Sequence, residues 1–363
     1  MSRAHDDDAH HSKRSLKAEE LADGHSDGLE PVVPLDLSRI ASFSDLLHAY
    51  ARTSFGARQL GEAADVLLEM VQDPDCVVVG TFSGAMTVAK MGLVLCDMLD
   101  HGMLDAVVST GALMCHGFVE AAGLEHFKWR EGMDDTELYE KGYNRVYDTL
   151  EPELNLDKAE VIIAEVLKAI PPGTTTCSSD INRRLGEHLA AKFPGQRGIL
   201  KSAFERGVPV YVPAFTDSEL GLDVALHNRR LKLAGQAPLR YDPYEDLEAY
   251  TAKMKAAKRV GIFTIGGGVP RNWAQQVGPY LDLIDKRVGT GGGFLRFQYG
   301  VRICPEPAHW GGLSGCPYSE GVSWGKFAPR EEGGRYAEVP SDATLVWPLL
   351  VKGVLERLAQ AKR

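Results

Sequence analysis

The sequence predicts an α/β protein: a mostly parallel β-sheet with helices on both faces. Two observations lead to this fold class. Apolar runs rich in β-branched residues recur along the chain, as in "CVVVGTFSG" (76–84), and segments with helical periodicity, as in "AMTVAKMGLVLCDMLDHG" (85–102), follow them. Strand followed by helix, repeated, is typical of a parallel sheet whose strands are buried on both faces.

The predicted elements follow from these patterns. The strand segments share an apolar, β-branched composition, and they are 76–84, 105–112, 208–215, 259–268, 294–303 and 343–351. The helical segments repeat their apolar residues every three to four positions, and they are 85–102, 156–170 and 180–193. In such a sheet ligands bind outside the carboxyl ends of the strands, so functional residues are expected just after each strand.

Composition excludes several classes of protein. The chain of 363 residues is 44% hydrophobic and 25% charged, which is ordinary for a globular protein, and no apolar run reaches the ~18 residues of a membrane helix. The net charge of −10 disfavours nucleic acid as a partner and favours a cationic substrate. The six cysteines have no C-x-x-C spacing, which indicates reduced cytoplasmic thiols and neither a disulfide framework nor a metal centre.

The N-terminal segment differs from the rest. Residues 1–30 are polar and charged, without the apolar core of a signal peptide, and they are predicted to form a flexible arm. Its His5, His10 and His11 could also bind a metal, but a disordered arm is the favoured interpretation. Residues 31–363 contain no long linker and are predicted to form a single domain.

Four predicted strands end in small or hydroxyl residues, at 81–84, 109–112, 215–221 and 264–268. Glycines there allow a ligand to approach the backbone, and the free N–H groups at the start of a following helix suit phosphate. None is G-x-G-x-x-G, so each segment is also consistent with a tight βα turn; together the four favour a nucleotide site. Asp217 and Asp342 have two interpretations, a ligand to a ribose hydroxyl or a helix cap.

The glycine-rich stretch "GGLSGCPYSEGVSWGKF" (311–327) places Glu320, Trp324 and Lys326 within seven residues. A carboxylate and an indole face together make a receptor for an alkylammonium ion. A lysine beside them becomes a nucleophile if burial lowers its pKa. The alternative is a surface loop with a chance tryptophan and lysine.

Over residues 75–355 the sequence resembles the deoxyhypusine synthase family. The resemblance rests on "EGVSWGKF" around Lys326, supported by "PAFTDSELG", "GGGVP", "SDATLVWPLL" and "HGMLDAVVSTGA". It implies a cytoplasmic homotetramer of Rossmann-like, doubly wound subunits, with NAD and polyamine sites at subunit interfaces. It also implies an N-terminal segment that can cover the site entrance.

The family's reaction assigns roles to the residues above. Spermidine is oxidised by NAD to an imine, the lysine that matches Lys326 takes over the aminobutyl group, and an acceptor amine then receives it. Trp324 would stack on the polyamine, and Glu320 would hold an ammonium or move a proton. The residues implied on the NAD side are Ser83, Gly84, Thr110, Gly111, Asp217, Asp342 and Ala343, and those implied in the active-site loop are Gly311, Ser314 and Gly315.

The chain also departs from the family at the site. Arg271, Asn272 and Trp273 replace a lysine and two histidines after the triple glycine, so Asn272 is expected to replace the hydrogen bond of a substrate-contacting histidine. Cys115 and His116 stand where the family has two glutamates. His116 is a candidate proton shuttle, and a structural histidine is an equal alternative.

Further departures fall on acidic positions and on the nicotinamide side. Leu222, Trp310 and Leu313 stand where aspartates or another acidic residue are expected, and "CPEPAHW" (304–310) replaces a polar segment that contacts the nucleotide. The resemblance therefore predicts a retained nucleophile and an altered choice of amine.

The favoured hypothesis is a divergent, NAD-dependent transferase of an aminobutyl or related alkylamine group, with Lys326 as its covalent carrier. The acceptor is left open between a protein lysine and a free diamine, as in a homospermidine synthase. A third hypothesis is a non-catalytic oligomer that binds NAD or polyamine. It is motivated by the changes at 271–273 and 304–310 and opposed by the intact "SEGVSWGK".

Overall fold

The computed structural model describes residues 21–361. Its strands are β1 Cys76–Phe82, β2 Ala106–Ser109, β3 Phe127–Lys128, β4 Tyr143–Val146, β5 Thr149–Pro152, β6 Thr175–Thr176, β7 Val210–Tyr211, β8 Arg240–Tyr241, β9 Arg259–Ile265, β10 Tyr299–Ile303 and β11 Arg335–Val339. Its α-helices are α1 Phe43–Ala51, α2 Phe55–Gln72, α3 Gly92–Asp100, α4 Gly111–Ala121, α5 Asp135–Glu140, α6 Glu153–Lys168, α7 Ser178–Lys192, α8 Ile199–Arg206, α9 Glu219–Leu233, α10 Pro243–Lys255, α11 Gly268–Gln275, α12 Val277–Arg287, α13 Tyr318–Ser323 and α14 Ala343–Ala361.

The central sheet has six strands in the order β11-β10-β9-β1-β2-β7, and every neighbouring pair is parallel. Side chains alternate along β1, as the strand period of two requires. Val78 and Phe82 belong to a core on one face of the sheet, and Val79 belongs to the core on the other. Both faces are therefore covered, and the predicted fold class, an α/β Rossmann-like sheet with helices on both faces, is confirmed.

The order of the strands creates a switch point between β1 and β9. From β1 the chain moves to β2 and then to β7 on one side. It returns to form β9 on the other side of β1 and continues outward to β10 and β11. The connections that leave β1 and β9 therefore diverge, and this topology is the one at which open α/β sheets form a ligand crevice at their carboxyl edge.

The prediction of a strand over 343–351 is wrong, because these residues form the start of the 19-residue helix α14. A short apolar run does not distinguish a buried strand from a buried helix by its periodicity. Trp347 and Leu350 are buried and Leu345 is exposed, which is a helical pattern with Pro348 inside it. The sixth strand of the sheet is instead β11, which was not predicted.

Other predicted elements are shorter than expected or were not anticipated. The strand predicted at 208–215 is reduced to β7, and the helix predicted at 85–102 begins only at Gly92, after a turn in which Lys90 has a φ of 64°. An antiparallel sheet β3-β5-β4 and a parallel pair β6-β8 lie beside the central sheet.

Three further expectations concern the chain as a whole. The predicted arm, residues 1–30, lies mostly outside the described residues, and residues 21–30 contain no helix or strand. All six cysteines are free thiols. In the described part of the chain no helix combines the length and apolarity needed to cross a membrane.

Candidate active site

Lys326 lies in a cavity of about 320 Å³ that also contains Asn272, Glu320 and Trp324. The lysine follows the short helix α13, and Asn272 lies on α11, which starts at the last residue of the triple glycine (266–268) that follows β9. The Lys326 Nζ donates a hydrogen bond of 2.9 Å to the Asn272 Oδ1. These two residues are 54 positions apart in the sequence, and a contact between them was not predicted.

The environment of Lys326 favours its neutral form. Burial lowers the pKa of the Lys326 ammonium below its ordinary value, and the guanidinium of Arg271 lowers it further. The charge of Glu320 acts in the opposite direction and is weaker. Since only the neutral amine is a nucleophile, this shift increases the reactive fraction at a given pH.

The amine also faces an aromatic ring and a carboxylate. The Nζ of Lys326 lies 5.9 Å from the centre of the Trp324 ring. The indole is 65% exposed, so most of its surface is free to contact another molecule. Glu320, also exposed, is in the first turn of α13. The indole and the carboxylate together provide contacts suited to an alkylammonium ion.

Two buried arginines hold the glycine-rich loop in place, and the sequence analysis did not single out this pair. Arg271 donates to the carbonyl of Cys316 at 2.7 Å, and Arg302 donates to the carbonyls of Ser314 and Cys316 at 2.5 and 2.8 Å. Arg302 is the only charged residue in "YGVRI", the strand β10. An arginine inside an otherwise apolar strand was the signal for a buried, functional position.

The crevice between β1 and β9 brings several predicted nucleotide-binding residues together. The hydroxyl of Ser83 donates to the carbonyl of Gly267, and the N–H of Gly267 donates back to the hydroxyl at 3.3 Å. Thr110 donates to the carbonyl of Gly84 at 2.7 Å and caps α4 by accepting from the N–H of Leu113.

At this edge of the sheet, glycines allow a ligand to approach the backbone closely. Gly84 has a φ of +71°, and no atom lies within 4 Å of the position that a side-chain Cβ would occupy there. Gly111 is the first residue of α4 and packs against Ser218. A Cβ added to Gly111 would lie 2.3 Å from the hydroxyl oxygen of Ser218. An open glycine and the N-terminus of an 11-residue helix fit the phosphates of a dinucleotide.

The two aspartates have different positions. Asp342 accepts bonds from the N–H and the hydroxyl of Thr344 at 2.8 and 2.9 Å, so it caps α14 immediately before Ala343. Asp217 is exposed and is not a cap, because Ser218 fills that role for α9. The carboxylate of Asp217 is therefore available to a ligand.

One segment joins the crevice to the lysine cavity. Gly311, Gly312 and Leu313 line the cavity of Lys326. The next residue, Ser314, packs closely against Gly267. A Cβ added to Gly267 would lie only 2.5 Å from the Cα of Ser314. The candidate cofactor site and the candidate nucleophile are thus on two sides of the same loop.

Comparison with known proteins decides the family. The family model described as deoxyhypusine synthase matches residues 45–354. The chain belongs to the deoxyhypusine synthase family. Membership in it indicates an enzyme that transfers an aminobutyl group.

Curated members of the deoxyhypusine synthase family match along most of the chain. "Probable deoxyhypusine synthase 2" of Methanosarcina acetivorans is 32% identical over 335 residues, which is 92% of both chains. The protein of the same name from Archaeoglobus fulgidus is 30% identical over 84% of this chain and 95% of its own. A "Deoxyhypusine synthase-like protein" of Chlorobaculum parvum is 31% identical over 84% of both.

A solved structure named "putative deoxyhypusine synthase from Entamoeba histolytica" has the same fold. It superposes with a TM-score of 0.55 over 90% of this chain and 97% of its own, at 13% identity. At that identity the likeness concerns the fold alone.

His116 lies outside the cavity that contains the other predicted catalytic residues. It does not line the Lys326 cavity, and its Nδ1 lies 2.5 Å from the Oε2 of Glu151 on β5. Burial raises the pKa of Glu151, but the imidazoles of His116 and His126 reverse this and hold it at about 2. Glu151 is therefore ionised, and sequence analysis did not select it.

Proposed function

We propose that the protein is an NAD-dependent transferase that moves an aminobutyl or related alkylamine group from a polyamine to an acceptor amine. Lys326 is the covalent carrier. The observation that supports this most strongly is the Lys326 amine itself: partly desolvated, held by Asn272, and separated from a glycine-lined crevice by one loop.

The crevice residues fit NAD. The first turn of α4 and the open backbone at Gly84 suit the pyrophosphate, and the exposed carboxylate of Asp217 suits a ribose hydroxyl. Ser83, Thr110, Gly111, Asp342 and Ala343 complete the proposed set. When bound, NAD supplies reversible hydride acceptance at the carbon beside the secondary amine of the polyamine, and this carbon thereby becomes part of an imine.

The chain's own residues then exchange amines at that carbon. The neutral Nζ of Lys326 attacks the imine carbon and forms a new C–N bond. The bond from this carbon to the diamine fragment breaks, and the diamine leaves as a free amine with the two protons that the Lys326 nitrogen gives up. Lys326 now holds the aminobutyl group as its own imine, and no electron has been gained or lost in the exchange.

Transfer to the acceptor repeats the exchange in reverse. The acceptor amine attacks the same carbon, the bond to the Lys326 Nζ breaks, and the lysine returns to its free state. With NAD bound, the hydride equivalent removed from the donor would be available to reduce the product, so the overall reaction would have no net oxidation. Glu320 receives and returns the protons of these steps, and Trp324 covers the alkyl chain.

The cavity composition supports a donor with few positive charges. Among the residues that line it, Glu320 is the only carboxylate, and the guanidinium of Arg271 lines the same cavity. Leu313 occupies a position that the family resemblance assigns to an acidic residue. A polyamine with a distal ammonium therefore gains less from this cavity than from one with further carboxylates.

We test this function with Lys326→Ala and Lys326→Arg, and with Lys286→Ala as a matched control on an exposed lysine. Protein, NAD and a panel of polyamines and diamines are incubated with and without the hypusine-bearing translation factor as acceptor, and products are identified by mass spectrometry. Both Lys326 variants should form no product and still bind NAD, and the control should behave like the wild type. Full turnover by Lys326→Ala would refute the proposal. Labelling of the factor identifies a protein acceptor, and a new free polyamine identifies a diamine acceptor.

A further inference from the structure

A second cluster of ionisable side chains lies outside the Lys326 cavity. His116 on α4, His126 just before β3 and Glu151 on β5 come from three separate segments. The His116 Nδ1 is 2.5 Å from the Glu151 Oε2, and the His126 Nε2 is 3.4 Å from the Glu151 Oε1. These side-chain atoms all lie within 4.8 Å of one another.

The atoms of this cluster are buried without hydrogen bonds. The His116 Nδ1, the His126 Nε2 and the Glu151 Oε1 have no hydrogen-bond partner among the described residues. The side chains of Glu151 and His126 are 2% and 0% exposed, and that of His116 is 20% exposed. The Nδ1 of His116 and the Glu151 carboxylate are close enough for a hydrogen bond but are not aligned for one.

Such convergence needs a physical reason. A buried polar atom without a well-aligned hydrogen bond is destabilising, so these misaligned contacts would carry a penalty in a purely structural cluster. Lone pairs that converge on one point, without alignment to each other, are the arrangement that a shared cation stabilises. For His116, which the sequence suggested as a proton shuttle or a structural histidine, a shared cation is a further role.

We propose that His116, His126 and Glu151 form a binding site for a divalent transition-metal ion of the zinc type. Two imidazole nitrogens and one carboxylate oxygen are a donor set that such ions prefer. Ligand atoms around a tetrahedral zinc ion lie about 3.3 Å apart, which the distances in this cluster bracket. Three protein ligands leave a fourth position for water or a substrate atom.

An ion pair between Lys90 and Glu120 lies beside the other ring nitrogen of His126. Its Nδ1 lies 3.9 Å from the Oε1 of Glu120 and 2.9 Å from the Nζ of Lys90, and Lys90 also contacts Glu120 at 2.5 Å. The Lys90 ammonium can only donate, so Nδ1 is the acceptor in this structure; a metal on Nε2 requires the ring proton on Nδ1, with Glu120 as its acceptor once these two side chains have moved closer. Lys90 then pairs with Glu120 alone, and Glu120 acts as a positioning residue.

The test measures zinc binding and not activity. The full chain with His5, His10 and His11 changed to alanine is the starting protein, so that the arm contributes no ligand. After removal of metal with a chelator, Zn²⁺ is titrated by calorimetry, and Co²⁺ is added to record its visible absorption. We expect one Zn²⁺ per chain and a tetrahedral Co²⁺ spectrum.

Variants then assign the ligands. Glu151→Gln and His126→Gln should each weaken zinc binding at least about 100-fold, and Glu120→Gln should weaken it about 10- to 100-fold. His101→Gln, on an exposed histidine, should have no effect. Lys326→Ala should bind zinc like the starting protein, which separates this proposal from the proposed function.

Two outcomes would overturn the site. One is a starting protein that takes up no Zn²⁺, and the other is equal binding by Glu151→Gln and the starting protein. Circular dichroism identifies any variant that fails to fold. In that case a zinc-soaked crystal of the starting protein decides by anomalous scattering: a peak between His116, His126 and Glu151 supports the site, and no peak there contradicts it.

Discussion

The chemistry of the candidate site depends on how one amine is held. The hydrogen bond from Lys326 to Asn272 uses a neutral acceptor, which orients the amine without stabilising its charge as strongly as a carboxylate would. Burial and Arg271 then lower the pKa of Lys326. A neutral partner and a lowered pKa act together to keep the lysine reactive.

This arrangement gives a prediction for pH dependence. Formation of a covalent adduct needs the neutral amine, so its rate rises with pH through the pKa of Lys326. Because that pKa is lowered, the rise occurs at lower pH than for an exposed lysine. Asn272→Asp places a carboxylate against the ammonium, raises its pKa, and should move the rise to higher pH by about 1–3 units.

The measurement is the rate of borohydride-trapped adduct between pH 6 and 10. Gln276→Glu is the matched control, because Gln276 lines the same cavity but makes no hydrogen bond to Lys326. Its profile should shift much less. An unchanged profile for Asn272→Asp would show that Lys326 is not the group that titrates.

At the scale of residues, the sequence allows a site to be predicted when the site residues are neighbours along the chain. Glu320, Trp324 and Lys326 were recognisable because one short stretch contains them all. Arg302 and Arg271, or His116 and Glu151, meet only after distant segments have packed, and nothing in their local sequence specifies the partner. Tertiary contacts of this kind need the fold.

The helix α14 is the element at which sequence reasoning failed. The apolar run 343–351 suited a strand, and the decisive information lay outside it, in the cap Asp342 and in the amphipathic continuation to Ala361. Strands β1 and β9 were predicted with nearly correct bounds because each is a long β-branched run that ends in a glycine or hydroxyl.

Asp342 has a structural and a proposed functional role, and two substitutions separate them. Asp342→Ala removes the cap and should lower the free energy of unfolding by about 0.5–2 kcal/mol. Asp342→Asn retains a capping oxygen and should leave stability nearly unchanged. If the carboxylate also binds NAD, both variants should bind NAD more weakly in calorimetry. Normal NAD affinity in both would restrict Asp342 to its role as a cap.

The contact between β9 and the glycine-rich loop gives a further prediction. Gly267→Ala forces a methyl group against the backbone of Ser314, and such overpacking costs about 1–3 kcal/mol. The displaced loop borders both the crevice and the lysine cavity, so NAD affinity and adduct formation should fall together. The control Gly56→Ala, where no atom lies within 4 Å of the new methyl group, should change neither. If only NAD affinity or only adduct formation falls, the result would contradict the coupling of the two through this loop.

For the molecule as a whole, the sheet order determines where the site lies. The sequence predicted a parallel sheet, and this alone places ligands at its carboxyl edge. It did not predict that β9 pairs with β1, because strand order depends on how the connecting helices pack. The switch point between these strands, and therefore the meeting of Ser83 with Gly267, required the structure.

The homotetramer that the family resemblance implies also belongs to this scale. Leu222, Leu226 and Leu233 on α9 are 52%, 46% and 90% exposed and form one stripe of the helix. We expect light scattering to give four times the chain mass of 39.6 kDa, and Leu226→Glu to lower it. Val288→Glu, on an exposed residue beyond α12, should not. A monomer at micromolar concentration would contradict the assembly.

The central claim is that Lys326 becomes covalently loaded, and the most direct test is to trap the loaded enzyme. The protein is incubated with NAD and each member of a polyamine panel, reduced with borohydride and digested, and the peptide containing Lys326 is analysed by mass spectrometry. We predict the addition of one alkylamine group on Lys326 that requires both NAD and amine and is absent from Lys326→Arg. An adduct on a different lysine, or no adduct with any polyamine, would contradict the claim.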